Sequence, residues 1–538
     1  MKKYLSIIFI TLTIAGSSCK KNYLNLTDNP NVPSTASANL LLSGGLKATA
    51  DIVNYGPTPS GSADYAQYAA WVGYLTQSTS FQVFNNLTKY ILTSSDYTGA
   101  WEDNYLNIAN YNALEATNSG PNYQAISEIM ICFDYEALVD NFNNVPYSQA
   151  LKGASNIAPS YDNGATIYLS LAKRLDAAIT LIQGATSSAA NPEGADIMFG
   201  GNMTEWAKFA NTLKLRLCLR ESTKSSLSTD FATLSADVTA TEAVGYIDNT
   251  FSASVNPGYT LNDANGGQET PIWTYFGTTQ NGGAEVGKNE YQANAFAANY
   301  FASNNDPRLG QVFANSTTPN AYKAVISSGN DGLMSVLING TDTAAIASTF
   351  FGGSVPIAGT IDGVAVLPYI EPSLLGPGVL ASASQNAIIM SSSESLFLQA
   401  EGTLKGILSK EGTAQTLYNA GVTSSFELDL VPNADAAAST YLKQTAVAYP
   451  ATGTAAAQLN AIIMQKWAAL AIYGGFEAFN EQRRTGIPAA ALSVYPGVNA
   501  PRQVTRVFYP TIEYQTNAAN VATQGTINVF SSLIFWAQ

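Results

Sequence analysis

Apolar residues recur at spacings of three and four along much of the chain, and that rhythm predicts a mostly helical protein. Ile167, Leu171, Leu175, Ile179 and Ile182 make one such stripe, and Trp206, Phe209, Leu213 and Leu217 make another. Tyr65, Tyr68, Trp71 or Val72 and Leu75 come earlier. Trp101, Tyr105, Ile108 and Asn112 follow, then Ile126, Ile129, Phe133 and Leu138. From Ser37 to about Glu221 the helical stretches come in pairs with short polar connections, as stacked hairpins of a tetratricopeptide-like kind would. Between about 223 and 390 the pattern gives way to Gly, Ser, Thr and Asn with turn signals such as Asn256-Pro257-Gly258, which reads as long loops with short helices and a few strands. Helical spacing returns from Glu394 through Ile407, from Leu417 to Phe426 and from Leu459 to about Arg484. A loop-like tail ends in Phe535-Trp536. The expected fold is mostly α, with helical hairpins supporting long irregular loops and minor β.

The first residues stand apart. Lys2 and Lys3 precede an apolar run over 4–16, small residues follow, and Cys19 comes directly after Ser17-Ser18. That order describes a secretory leader with a lipoprotein cleavage site before Cys19. The run is too short to span a bilayer, which takes roughly 18 or more apolar residues. Residues 1–18 are therefore expected to be a signal peptide, 19–36 a lipidated tether, and 37–538 one large binding domain held at a membrane by acyl chains on Cys19.

Composition narrows the chemistry. The hydrophobic share of 46% suffices for a large core, and no Pro-rich or charge-rich linker divides the chain. The formal charge of −14 excludes nucleic acid as a main partner. The chain has no histidine, which removes Ser-His-Asp and Cys-His nucleophiles and every metal site built on imidazole. Cys132 and Cys218 sit in apolar helical patterns and read as two buried free thiols more readily than as a disulfide. No cofactor and no metal is expected.

The remaining candidate chemistry has two readings at each place. Glu394 and Glu401 lie two helical turns apart on one face. They are either the acid and base of a glycosidase or buried carboxylates, Glu401 pairing with an arginine such as Arg483 or Arg484. Arg216 and Arg220 either bind an anionic ligand or cover a helix face and pair with carboxylates. Asp306 beside Arg308 reads as a cap sooner than as a calcium ligand. Gly352-Gly353-Ser354-Val355-Pro356 lacks the Lys-Ser/Thr of a phosphate loop, and Pro356 breaks the helix such a loop needs. Tyr65, Tyr68, Trp71, Trp101, Trp206 and Trp467 fall on helical stripes and are expected in the core. Phe81, Phe84, Tyr259, Trp273, Tyr275 and Phe276 lie in polar, Gly/Asn-rich surroundings, and are the candidate ligand-binding residues: a ring face there can stack on a sugar while neighbouring amides bond its hydroxyls.

Several stretches, taken in order, resemble the SusD/RagB-like outer-membrane lipoproteins, in particular the SusD-like nutrient-binding subgroup. They are NYLNLTDNPN after the lipidated cysteine, DYEALVDNFNNVPYSQALKG (134–153), PSYDNGATIYLSLAKRLDAAI (159–179), ADIMFGGNMTEWAKFANTLKLRLCLR (195–220), NDPRL (305–309), SLFLQAEGTLKG (395–406), LYNAGVTSSF (417–426), QKWAAL (465–470), EQRRTGIP (481–488) and FYPTIE (508–513). The resemblance implies a lipid-anchored, non-catalytic protein of the outer membrane, facing the cell surface, with a tetratricopeptide-like helical fold. It implies capture of an oligosaccharide, or sometimes a peptide, and delivery to a SusC-like TonB-dependent barrel transporter. A surface glycoside hydrolase and a structural or adhesive lipoprotein are the alternatives. Two places depart from the family pattern: Asn143-Asn144 replaces the usual Gly-Asp before Val-Pro-Tyr, and Lys20-Lys21 follow the cysteine where surface-exported relatives often carry acids.

Overall fold

The computed structural model describes residues 36–60, 64–77, 90–264, 267–314, 359–361, 364–366, 373–490, 492 and 503–538. Its frame is helical: α1 (Ala38–Val53), α2 (Asp64–Trp71), α3 (Thr98–Ala116), α4 (Pro121–Phe142), α5 (Gly164–Gly184), α6 (Met203–Glu221), α7 (Ser228–Ala240), α8 (Ala295–Ser303), α9 (Ser392–Leu404), α10 (Ala414–Leu428), α11 (Ala434–Tyr441), α12 (Ala455–Ala469) and α13 (Gly475–Thr485). Local chemistry sets where they start. Ser37, Asn163, Asn202, Ser391 and Thr454 each accept a first-turn N–H, for α1, α5, α6, α9 and α12. Thr413 and Thr416 cap α10 reciprocally.

Consecutive helices α3 to α7 pack each on the next, as the hairpin reading predicts, and α1 lies on α3. α4 is the axis of this half. Almost all its residues from Asn122 to Phe142 are buried, so it carries no polar face, as befits a helix enclosed by others. In the second half α9 packs on α10, α12 and α6, which ties the two halves together. Gly421 permits the close approach of α10 to α9, because a Cβ there would stand 2.9 Å from Cζ of Phe397. The largest apolar cluster runs from Leu42 to Ala537 and includes Tyr68, Trp101, Trp206 and Trp467. Tyr65 and Trp71 are buried with them.

Strands are few: β1 (Leu75–Gln77), β2 (Ala253–Val255), β3 (Tyr291–Ala293), β4 (Gly359–Ile361), β5 (Val364–Val366) and β6 (Ala387–Met390). They form antiparallel pairs β1–β3, β2–β6 and β4–β5.

Three expectations need adjusting. The stretch after 223 holds α7, whose Ser/Thr-rich sequence offers only Leu234 and Val238 as fully buried positions. α11 lies beyond the expected end at Phe426. The expected run from Leu459 to Arg484 is two helices broken after Ala469, where Ile472 adopts a left-handed φ of 72°. Asn143 also has positive φ, 70°, which explains why glycine is usual there. Asn144 Oδ1 accepts the Gly164 N–H at 3.1 Å, a bond an aspartate would make equally. Cys132 and Cys218 are free and buried, as expected.

Candidate functional site

The chemistry of the interior is a network of ion pairs. Glu401 is held through both oxygens by Arg484, at 2.8 and 2.7 Å, and Arg484 also reaches Glu481 at 2.6 Å. Arg216 grips Glu136 with Nε and Nη2, at 2.9 and 2.7 Å, and donates to Glu394 at 3.1 Å. Arg220 joins Asp140, Glu477 and Glu481, and Lys466 donates to Glu477 at 2.8 Å. Of the two arginines expected for Glu401, Arg484 is the partner; Arg483 instead donates to the backbone oxygens of Asp140 and Thr505. Arg216 and Arg220 do pair with carboxylates, but within the core instead of along an open helix face.

Burial, with Glu477 nearby, pushes Glu394 up to about 7 against the pull of Arg216. Burial acts on Glu477 too, yet Arg220, Lys466 and Arg216 overcome it and hold that carboxyl far below the usual range. The cavity beside these groups has a volume of about 60 Å³. A few waters fill such a space, each needing roughly 10–15 Å³, whereas a glycosidic bond between two sugars cannot enter. Glu394 and Glu401 are thus both engaged by arginines of the scaffold. Asp306 is likewise structural: Arg308 engages both its oxygens, at 3.0 and 2.7 Å.

The loop aromatics gather in part. Trp273, Tyr275 and Phe276 share the short helix Pro271–Phe276. Phe276 is buried edge-on to Tyr275 at 4.9 Å and to Tyr55 at 5.4 Å, and Tyr291 of β3 completes the group. Tyr275 is half-buried, donates to Glu290 at 3.0 Å, and has the backbone of Gly287 against its ring, where a Cβ would come within 2.4 Å. Trp273 is half-buried with its Nε1 donating to the Thr278 carbonyl at 3.0 Å. Tyr259 is buried. Tyr259 and Phe276 thus lie beneath the surface, while Trp273, Thr274 and Tyr275 keep partial exposure on this helix. Phe81 and Phe84 lie outside the described residues. Cys19 and 352–356 also lie outside them.

Two concavities flank α3, and the sequence pattern did not single them out. On one flank an apolar groove of about 380 Å³ is lined by Trp101, Tyr105, Leu106, Pro146, Leu151 and Ile512, among others. Leu106, Leu151 and Ile512 are large apolar side chains left exposed there. On the other flank a pocket of about 500 Å³ lies between α1, α3 and the turn at Pro57–Pro59. Asp103, Asn107 and Asn110 line it at helical spacing. That run of polar residues on one side of α3 is the signal available in the sequence.

Residues 30–510 match the model of the SusD-like family described as starch-binding and associating with the outer membrane. No curated protein matches the chain. Among solved structures, a chitin-binding SusD homolog from Flavobacterium johnsoniae superposes with a TM-score of 0.69 at 23% identity, covering 92% of this chain and 98% of that one. A SusD-like protein from Bacteroides thetaiotaomicron superposes with a TM-score of 0.68 at 22% identity, over 93% of this chain and 99% of its own. A SusD homolog from Bacteroides uniformis gives 0.68 at 20% identity, over 93% and 99%.

Proposed function

Because the chain belongs to the SusD-like family of nutrient-binding, outer-membrane-associated proteins, we propose that it captures an oligosaccharide at the cell surface and passes it to a SusC-like TonB-dependent barrel. The observation that carries this reading is the family match over residues 30–510. Cys19, acylated after removal of residues 1–18, would anchor the body of residues 37–538 through the tether, and among the described residues no helix is long and apolar enough to cross a membrane. Trp273 and Tyr275 are the rings on which a sugar would stack, while Asn and Gln side chains bond its hydroxyls; Phe81 and Phe84, outside the described residues, are the further stacking residues this reading names. The exposed Leu106, Leu151 and Ile512 beside α3 support a protein partner, since apolar patches of this kind mark interaction surfaces.

Affinity electrophoresis of the mature domain through gels cast with a panel of polysaccharides tests the binding step. Retardation by at least one glycan, weakened by Trp273→Ala and by Phe81→Ala, is the expected result; free migration through every gel counts against it. Release of new reducing ends during the same incubation would favour the hydrolase instead. Purification through the lipid-anchored protein should recover a barrel protein of the outer membrane, and Cys19→Ala should move the chain out of the envelope fraction.

A further inference from the structure

The cavity where α4, α6, α9 and α13 meet holds a carboxylate that its neighbours satisfy only by half. Three of the four carboxylates on its wall are fully bonded. Glu136 takes Arg216 on both oxygens, at 2.9 and 2.7 Å. Asp140 takes Tyr168 and Trp536 on one oxygen and Arg220 and Asn480 on the other. Glu477 takes Arg220 on both and Lys466 on one. Glu394 is different. Arg216 leaves it a single bond, to Oε1 at 3.1 Å. Its Oε2 receives no donor among the described residues, although the side chain is 3% exposed and lines the cavity. A buried acceptor left unpaired is rare in a folded protein and calls for a donor.

Charge is short in the same place. Glu136, Asp140, Glu394, Glu401, Glu477 and Glu481 are buried together, and the cations buried with them are Arg216, Arg220, Lys466, Arg483 and Arg484. Lys405 joins only at the edge, 3.7 Å from Glu401. Burial and Glu477 accordingly push Glu394 up to about 7, where a proton supplies the missing charge. Above that pH another cation has to. The cavity, about 60 Å³, has room for several atoms at roughly 10–15 Å³ per water. Calcium asks for roughly six to eight oxygens, far more than the wall leaves free. An ammonium group asks for less: a carboxylate oxygen for an N–H, and aromatic rings for the rest of its surface. Tyr55, Tyr65 and Phe476 line the space beside Glu394, and the half-buried Val53, Ile388 and Tyr473 stand between it and solvent. We infer that this cavity is a binding site for one small primary ammonium group, of the size of methylammonium, held by Glu394 Oε2 and the rings beside it. The site stands apart from the capture of a nutrient and does not depend on it.

Thermal melting of the mature chain tests this at about pH 8, where Glu394 is ionised, in the chlorides of ammonium, methylammonium, sodium and tetramethylammonium at equal ionic strength. Ammonium and methylammonium at about 0.2 M should raise the midpoint by about 1–2 °C over sodium, as a ligand of roughly ten-millimolar affinity would. Tetramethylammonium, which has no N–H, should match sodium. The difference should vanish at about pH 5, where Glu394 carries its own proton. Two variants should abolish it at the higher pH. Glu394→Gln keeps the shape and removes the charge. Ala137→Leu fills the cavity from α4 while leaving every ion pair in place, and decides the matter if Glu394→Gln does not fold. Equal stabilisation by sodium overturns the ammonium class. Identical midpoints in all four salts mean that the cavity holds water only, and a difference that persists in Ala137→Leu or at the lower pH places the effect elsewhere; either result overturns the site.

Discussion

Arg484→Met should be among the most damaging single changes to this fold, and the structure says where the cost falls. Arg484 is fully buried and makes two bonds to Glu401, at 2.8 and 2.7 Å, two to Glu481, at 3.3 and 2.6 Å, and one to the Leu219 carbonyl at 3.2 Å. Glu481 survives the loss, because Arg220 and Lys466 remain at 2.8 and 3.4 Å. Glu401 does not. Its nearest remaining cation is Lys405 at 3.7 Å, and Glu401 itself is 1% exposed. Removing one partner of a buried pair costs about 3–5 kcal/mol, most of it the charge left behind. Adding Glu401→Gln removes that charge, so the double variant should regain about 2 kcal/mol. Urea denaturation followed by tryptophan fluorescence measures both, with Trp536 a local reporter since Arg220 lies 5.4 Å from its ring. A midpoint lowered by roughly 1 M is expected for the single variant, given how the denaturant slope grows with chain size. A cost below about 1 kcal/mol, or a double variant no better than the single, would refute the claim that Glu401 is a charge held by the scaffold.

Stability should also depend on pH through Glu394 and Asp429. Burial raises both to about 7, Glu394 from 4.5 and Asp429 from 3.8. The folded chain thus binds protons the unfolded chain releases, and the stability they lend is whole below the ordinary values and lost as pH climbs through 7. Denaturation midpoints measured across that window should fall, and Glu394→Gln should flatten the fall. Gly421→Ala should destabilise by about 1–3 kcal/mol, despite the gain of about 1 kcal/mol in helix preference, because its Cβ would meet the Phe397 ring at 2.9–3.1 Å; an unchanged melting temperature would contradict that packing. Burial pushes both core thiols up, Cys218 to about 12. Cys132 and Cys218 should therefore resist a chromogenic thiol reagent in the native state and react once urea is added.

Much of the helical frame was legible because its stripes were long. Ile167 through Ile179 name the buried face of α5, and Trp206, Phe209, Leu213 and Leu217 are all buried on α6, which is enclosed on every side from Phe209 onward. α7 escaped because Leu234 and Val238 alone make too short a stripe among Ser and Thr. α4 reads as one-sided in the sequence, yet it is enclosed, and its Glu136 and Asp140 are buried through arginines on α6 that no local pattern announces. The loop aromatics show the same limit from the other side. Polar neighbours in the sequence suggested exposure for Phe276, whereas Tyr55, far away in the chain, and Tyr291 pack against its ring; Tyr259 is buried as well.

The use of cations inside the fold bears on what the outside can bind. Lys214, Arg216, Arg220, Arg308, Lys466, Arg483, Arg484 and Arg506 are all buried, out of only 25 lysines and arginines in the chain. Among the described residues fifteen carboxylates are buried beside these eight cations, so part of the chain's net charge of −14 lies inside, and the surface keeps a smaller excess of acids over bases. An acidic surface repels polyanions across roughly 8–10 Å at physiological salt. Neutral glycans escape that penalty, and rings such as Trp273 together with amides need no charge to hold them. In the electrophoresis gels, neutral polysaccharides should therefore retard the protein more than uronate-rich ones of equal concentration. Stronger retardation by a polyuronate, undiminished as salt is lowered, would show that recognition runs through an exposed basic site which this distribution of charge does not supply.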